Sequence, residues 1–446
     1  MQAVRTAIAL ALFASAMSAQ QPKPVAPAPT VRADSTVRRQ FDTTTDSLRL
    51  SRADAVAEAL ARNPQLEVAR AQIGGARSRR VEAVSIPDPA VTASLDQQPG
   101  LFRSGAGGQK NVGVGLSVPF PEKLRLRGAV AGADVHSAES SYTLLRQQIA
   151  AQTSEAYDSL LGAIRHRADL TEAAALAHDF LQRTQARFNA GTAARLDVIR
   201  ATVGVAQASN DLLANARDVQ NAVSTLARFM GRPFGIPIAP IDSLEVPREL
   251  PQLDQLQAVA LDSRPELASI SAQRRGARAA TTLAKEFWLP DLTLGVARDY
   301  NQPQPNPALF STGLAFPFPL FPWQHTRGDI SEAQFRELEL AALERDIRAQ
   351  VTQDVRAAYA NALTAMQQVA FIRDELLPAA RAAYNSASAS YTLGGSSALD
   401  VQDARRSLLD AQNQYADALV AATVSRAELE RAVSIPLNTL GSVTIR

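Results

Sequence analysis

Along this chain of 446 residues the spacing of apolar positions switches between two periods. Over residues 90–97, Val91, Ala93 and Leu95 face one way while Thr92, Ser94 and Asp96 face the other. Over 111–118, Val112, Val114, Leu116 and Val118 alternate with Gly113, Gly115 and Ser117. A period of two predicts strands, and the glycine-rich residues 100–110 predict a hairpin loop between them. Gly113-Val114-Gly115 has part of a dinucleotide motif, but no helix and no third glycine follow, so it is read as strand. Around this pair the pattern is helical. Residues 51–62 form a short amphipathic helix ended by Asn63-Pro64, a good N-cap followed by a good first residue, so a new helix runs over 64–86 until Pro87 and Pro89 stop it. Residues 122–189 contain no proline and predict one helix of roughly 100 Å at 1.5 Å per residue. It ends at Gly191, a C-cap. The next helix, 192–232, carries Leu196, Ile199, Val203 and Ala206 at coiled-coil spacing.

The same plan then returns about 200 residues later. Asn63-Pro64-Gln65-Leu66 recurs as Arg264-Pro265-Glu266-Leu267, Pro87-Asp88 as Pro290-Asp291, and Val118-Pro119-Phe120-Pro121 as Phe316-Pro317-Phe318-Pro319. A constant offset of 203 relates Gly191 to Gly394, Leu196-Asp197-Val198 to Leu399-Asp400-Val401, Ala201 to Ala404 and Pro233 to Pro436. The unit is too long for a solenoid repeat and reads as a duplicated domain half. Its second copy predicts a helix over 265–289, strands over 291–298 and 309–316, and a long helix over 326–393 kinked at Pro378. A final helix over 396–435 carries a seam of Ala404, Leu408, Ala411, Tyr415 and Ala418. In both halves two shorter helices together match the length of one long helix. Each copy therefore supplies two helical columns and two strands at their end. The predicted segments are 1–19, 20–47, a first repeat at 48–232, a connector at 233–251, a second repeat at 252–436 and a tail at 437–446.

Composition narrows this further. Aromatic residues make up 5% of the chain, its formal net charge is +2, and it has no cysteine. The small charge gives no sign of a nucleic-acid partner, and the missing cysteine excludes disulfides, thiolate chemistry and a lipidated N-terminal cysteine. Arg5, an apolar stretch over 6–17 and the small residues Ala16-Met17-Ser18-Ala19 read as a secretory signal, too short for a spanning helix. The Pro-, Ala- and Thr-rich residues 20–47 read as a flexible lead-in. The later helices carry charges every few residues, so a membrane could be entered only by the strands. Four strands cannot close a barrel, and lipid does not tolerate open edges. Two copies would give eight strands with a filled interior, and three would give twelve around a lumen. The fold class read from the residues is therefore mainly α with a small β part: duplicated long-helix hairpins with four strands per protomer at one end, closed by two copies or by three.

The duplicated strand pairs and long helices, the Asn63-Pro64 break and the paired Gly-to-Leu-Asp-Val turns resemble the TolC-type outer-membrane factors, over nearly everything after residue 48. Phe316-Pro317-Phe318-Pro319 and Gly328-Asp329-Ile330-Ser331-Glu332-Ala333 are most similar to the heavy-metal efflux branch, whose members often carry the lipidated cysteine missing here. The resemblance implies a trimeric α-helical barrel topped by a twelve-stranded transmembrane β-barrel with four strands per protomer: a homotrimeric exit duct in the outer membrane, in contact with its lipid and docked to a periplasmic adaptor and an inner-membrane pump. It implies docking tips at Gly191, Thr192 and Arg195 and at Gly394, Gly395 and Ser396. It also places Tyr391, Asp400 and Asp403, with Asp197 as a further candidate, at a periplasmic constriction. Three copies would bring six carboxylates from Asp400 and Asp403 together, which raises some pKa values and draws cations; alternatively, the pair only favours a helix N-terminus. The family often has an arginine latch where Ser396 stands. Trp288, Trp323, Phe120 and Phe318 are read as an aromatic girdle at the membrane interface, against ordinary core packing.

His136, His166, His178 and His325 show no i, i+4 pair, so no metal site and no cofactor are assigned. No nucleophile elbow, phosphate loop or paired-carboxylate site is present, so no enzyme activity is expected. Three other readings compete with an efflux duct. The duct of a type I protein secretion system shares the architecture. A periplasmic adaptor would have one helical hairpin and compact β-domains. A coiled-coil rod would have no alternating strands.

Overall fold

Prolines and capping side chains cut the chain into elements close to where the sequence places them. The computed structural model describes residues 48–96, 109–244, 249–299, 309–315 and 326–437. The expected signal, the lead-in, Phe318, Trp323, His325 and nearly all of the tail lie outside these residues, as do most of both strand-connecting loops. In chain order the elements are β1 (Leu48–Leu50), α1 (Arg52–Arg62), α2 (Pro64–Val84), β2 (Ala90–Asp96), β3 (Gln109–Val118), α3 (Pro121–Asn189), α4 (Arg195–Phe229) and β4 (Ile238–Pro240). The second copy gives α5 (Leu253–Ser263), α6 (Pro265–Lys285), β5 (Asp291–Asp299), β6 (Leu309–Ala315), α7 (Thr326–Phe371), α8 (Leu377–Thr392) and α9 (Ala398–Val433). Ser51 and Asp54 form a reciprocal capping box at the start of α1. Asn63 Oδ1 accepts from the Gln65 N–H at 2.9 Å, and Pro64 opens α2 as its first residue.

The kink expected at Pro378 takes the form of a π-helical turn, Ile372–Leu376, between α7 and α8. Proline has no N–H and its ring crowds the carbonyl four residues earlier. The wider turn accommodates it, and the Leu377 N–H bonds back to Ile372 O. Three elements have no forerunner in the sequence pattern: the three-residue strands β1 and β4, which pair in parallel, and α5, the second-half counterpart of α1.

The helices lie as four columns. In one part of the chain α2, α3, α6 and α7 pack in that order; in the other the order is α4, α3, α9, α8. The expected end-to-end stacking is made by two unlike side chains on equivalent carbonyls. Asn63 Nδ2 donates to Phe229 O at 2.9 Å, joining α2 to α4. Arg264 Nε donates to Ala432 O at 2.8 Å, joining α6 to α9. The Arg264 side chain is buried, so its charge must be matched. Glu266 Oε1 at 2.8 Å and Asp354 Oδ2 at 3.2 Å accept from it.

Each joint sits in a core of its own. Ala55, Ala59, Ile149, Tyr157, Leu226 and Met230 surround the first; Leu256, Ala260, Val351, Val355, Leu429 and Val433 surround the second. Fully burying one leucine contributes roughly 1.5–3 kcal/mol, so these clusters fix where the columns meet. In the first, Tyr157 donates to Leu50 O at 2.9 Å, and burial pushes its hydroxyl pKa up to about 12.

The two coiled-coil seams part company. In α9, Leu408, Ala411 and Ala418 are buried and Ala404 and Tyr415 half-buried. In α4 the expected seam points away from the chain: Leu196, Ile199 and Val203 are each at least 50% exposed. Small residues, Ala201, Gly204 and Ala208, form the buried face instead. Helix α4 lies in an outermost column, so its larger apolar stripe faces the open edge.

The sheet runs β2-β3-β5-β6, antiparallel throughout. Register joins Val91, Val114, Val296 and Phe310 into one row across all four strands. Thr92, Gly113 and Ala297 form the adjacent row, on the opposite face because side chains alternate. Around these rows one face is mostly large and apolar, with Arg298 opposite Val112 and Thr312 opposite Leu294 on it, and the other is mostly small or polar.

Candidate functional site at the helix tips

Two turns of one design close the lower end of the columns. Helix α3 ends in a Schellman motif: the Gly191 N–H bonds to Phe188 O at 2.9 Å and the Thr192 N–H to Arg187 O at 2.8 Å. Helix α8 ends likewise, with Gly394 N–H to Tyr391 O at 3.1 Å and Gly395 N–H to Ser390 O at 2.8 Å. Both motifs need a left-handed residue, and Gly191 and Gly394 supply it at φ 77° and 82°. Thr192 Oγ1 adds a bond to Arg187 O at 3.1 Å, and Ser396 Oγ donates to Ala387 O at 2.9 Å. Ser396, which stands where the resembled family often has an arginine latch, is thus bonded back to α8. Arg195 begins α4 and is exposed.

The acidic candidates start the two returning helices. Asp400 Oδ2 accepts from the Ser397 N–H at 2.8 Å and hydroxyl at 2.9 Å, while the Asp400 N–H donates to Ser397 Oγ at 3.2 Å. These bonds favour the ionised form, and the Ser397 N–H and hydroxyl lower the Asp400 pKa. Asp197 makes half of such a box, its Oδ2 accepting from the Ala194 N–H at 3.3 Å, since Ala194 has no acceptor to return. Asp400 and Asp403 are both exposed, one helical turn apart. Within one protomer Asp400 caps a helix, and both carboxylates are open to neighbours.

Tyr391 is buried, at 4% exposure, and joins the two tips. Its ring lies 5.3 Å from that of Phe180 on α3, and its hydroxyl donates to Thr184 Oγ1 at 3.3 Å. Arg187 completes the contact: its guanidinium sits 4.4 Å over the Tyr391 ring and donates to Tyr391 O and, at 3.3 Å, to Thr192 O. Sequence reasoning missed Phe180, Thr184 and Arg187. They lie inside the unbroken helical pattern of α3, and the only sequence signal nearby is the paired glycines that bring the tips together. A small core with Ala201, Ala380, Val401 and Leu408 holds all four helices there.

At the other end, Phe120 and Trp288 are exposed, so neither is packed into a core of this chain. Phe120 caps α3, with its N–H 3.4 Å from Asp291 Oδ1, and Lys123 Nζ lies 3.0 Å from the same oxygen. Among the described residues no three metal-binding side chains cluster, and no helix is long and apolar enough to cross a membrane.

A family model described as outer membrane efflux protein matches residues 55–232 and 256–434, the two repeats in turn. The chain is 25% identical over 359 residues to the cobalt-zinc-cadmium resistance protein CzcC of Cupriavidus metallidurans, covering 79% of this chain and 82% of that protein. It is 23% identical over 392 residues to the outer membrane protein TolC of Vibrio cholerae, covering 83% and 87%. Its fold is similar to that of the outer-membrane channel OprN, with a TM-score of 0.73 at 20% identity, over 89% of this chain and 91% of that one.

Proposed function

The chain belongs to the outer membrane efflux protein family, and from that premise we propose that three copies close into one duct that carries cargo from an inner-membrane pump and periplasmic adaptor to the exterior. The observation that carries this reading is the pair of raw edges on the protomer. Strands β2 and β6 end the sheet, and an open edge in lipid leaves backbone groups unsatisfied. The α4 stripe of Leu196, Ile199 and Val203 lies on an outermost column of the same chain. Closure of three copies pairs β2 with a neighbour's β6 and covers that stripe with a neighbour's column. The apolar row through Val114 then meets lipid, Phe120 and Trp288 sit at its boundary, and the small or polar face lines a twelve-stranded lumen. Export relies on the segment at 1–19. The likeness to a cobalt-zinc-cadmium resistance protein favours the heavy-metal efflux branch over a type I secretion duct.

Extraction from outer membranes tests the reading. The mature protein is expected in that fraction as a trimer that survives mild detergent and falls apart on boiling; a soluble monomer in the periplasm overturns it.

The tips supply the entrance. Asp400 and Asp403, six carboxylates in the closed ring, form an acidic constriction, and Asp400 enters it already held ionised by Ser397. Changing both to Asn is expected to alter cation selectivity and to remove block by multivalent cations added from the periplasmic side. Recordings in planar bilayers check this. Selectivity and block that match the unmodified channel leave Asp400 as a helix cap and nothing more.

A further inference from the structure

A groove of about 870 Å³ runs over α3 between α4 and α9. Five carboxylates line it: Glu155 on α3, Asp211 and Asp218 on α4, and Asp410 and Asp417 on α9. Among the lining residues only His166 is basic, and its ring is held between Asn413 Oδ1 at 3.1 Å and Asp417 Oδ1 at 2.9 Å. Asp218 pairs with its sequence neighbour Arg217 at 3.0 Å. Among the described residues Glu155, Asp211 and Asp410 have no salt-bridge partner, and all three are exposed. We infer that this groove is a binding site for a linear polyamine, a flexible chain that carries several ammonium groups.

A buried neutral side chain points to the same ligand. Asn215, which lines the groove, is only 6% exposed. Its Nδ2 donates to Ala163 O at 3.0 Å, while its Oδ1 has no partner. A buried acceptor left unmet is unfavourable, and an ammonium brings three donors and no acceptor of its own. The carboxylates are too spread for one metal ion to gather, since among the described residues no three metal-binding side chains cluster. Along α3 the lining runs from Glu155 to Leu170, about 22 Å at 1.5 Å per residue. Charges strung along a chain match that length, and a point charge does not. Leu170, Ala214, Leu409 and Val420 share the lining and offer apolar surface to the methylenes between the ammonium groups. Every lining residue belongs to one chain, so the site exists whether or not copies close into a duct.

Calorimetric titration of the full-length protein in detergent, with spermidine as the probe, tests the site. The parent carries Asp400→Asn and Asp403→Asn, so that the tip carboxylates add no second site. One spermidine per protomer is expected to bind, and magnesium chloride in its place should bind more weakly. Adding Asp410→Asn and Asp417→Asn should weaken spermidine binding roughly tenfold. Ala214→Arg, which removes no carboxylate and sets a cation among them, should weaken it likewise and replaces the aspartate variant if that one does not fold. Circular dichroism melts identify the folded variants. No binding to the parent, equal affinity in the folded variants, or magnesium bound as tightly as spermidine overturns the polyamine site. A protein that binds spermidine in this way but never appears as an outer-membrane trimer overturns the duct and leaves the site standing.

Discussion

Arginine at Val114 is expected to cost about 2–4 kcal/mol per protomer at the bilayer midplane, whereas arginine at Gly115 should cost far less. Val114 stands near the middle of β3, in register with Val91 on one side and Val296 on the other, and the row continues to Phe310. A charge there enters the face that lacks any polar neighbour in its row. Gly115, one residue on, points to the opposite face and pairs with Ala90 and Gly295. A side chain starting there first meets Leu294 O at 3.9 Å, so it has room. Because three copies share one barrel, the penalty at Val114 is paid three times. Trimer recovered from outer membranes should fall sharply for Val114→Arg and stay near wild type for Gly115→Arg. A fall for Gly115→Arg instead would mean that the lipid and lumen faces are exchanged, and equal yields would mean that the sheet does not span.

This two-faced sheet was legible from the alternation of residue types alone, since a period of two leaves no freedom once strands are granted. The helical columns were legible for a different reason. Asn63-Pro64, Pro87 and the glycines at 191 and 394 are local devices, and local devices work through neighbours in sequence. What stayed hidden depends on contacts between distant segments. The α4 stripe has the right spacing for a helix partner, but spacing does not say whether the partner belongs to the same chain, and within this chain the stripe stays exposed. Strands β1 and β4 have three residues each, too few for a period to show. The Arg187–Tyr391 contact joins residues 204 apart, and neither residue type in a helix announces such a partner. Asn63 and Arg264 occupy matching places in the repeat and bind matching carbonyls, yet one is a neutral cap and the other a buried cation with two carboxylate partners. The repeat preserved the joint and let its chemistry diverge.

Replacing Gly191 or Gly394 with valine should abolish pump-dependent resistance while the trimer survives. The cause is backbone rather than crowding. Nothing lies within 4 Å of a Cβ built on Gly191, and the nearest atom to one on Gly394 is Arg187 Nη2 at 3.9 Å. Both residues, however, sit at left-handed φ, where a β-branched side chain meets its own carbonyl at a cost of about 1–2 kcal/mol or more. That is enough to prefer a different turn, because the Schellman bonds it must give up are themselves worth about as much. The tip then changes shape, and with it the surface offered to the adaptor. The joint cores around Tyr157 and Val355 and the sheet lie far along the columns and are untouched, so assembly should persist. Asparagine separates the two explanations, since it tolerates the left-handed region and is larger than glycine. Gly191→Asn and Gly394→Asn should keep most of the resistance, and the valine variants should lose it at normal trimer levels. Resistance measured in cells that supply the pump and adaptor, alongside the trimer band, decides the matter. Full resistance in both valine variants would move the docking surface away from these turns.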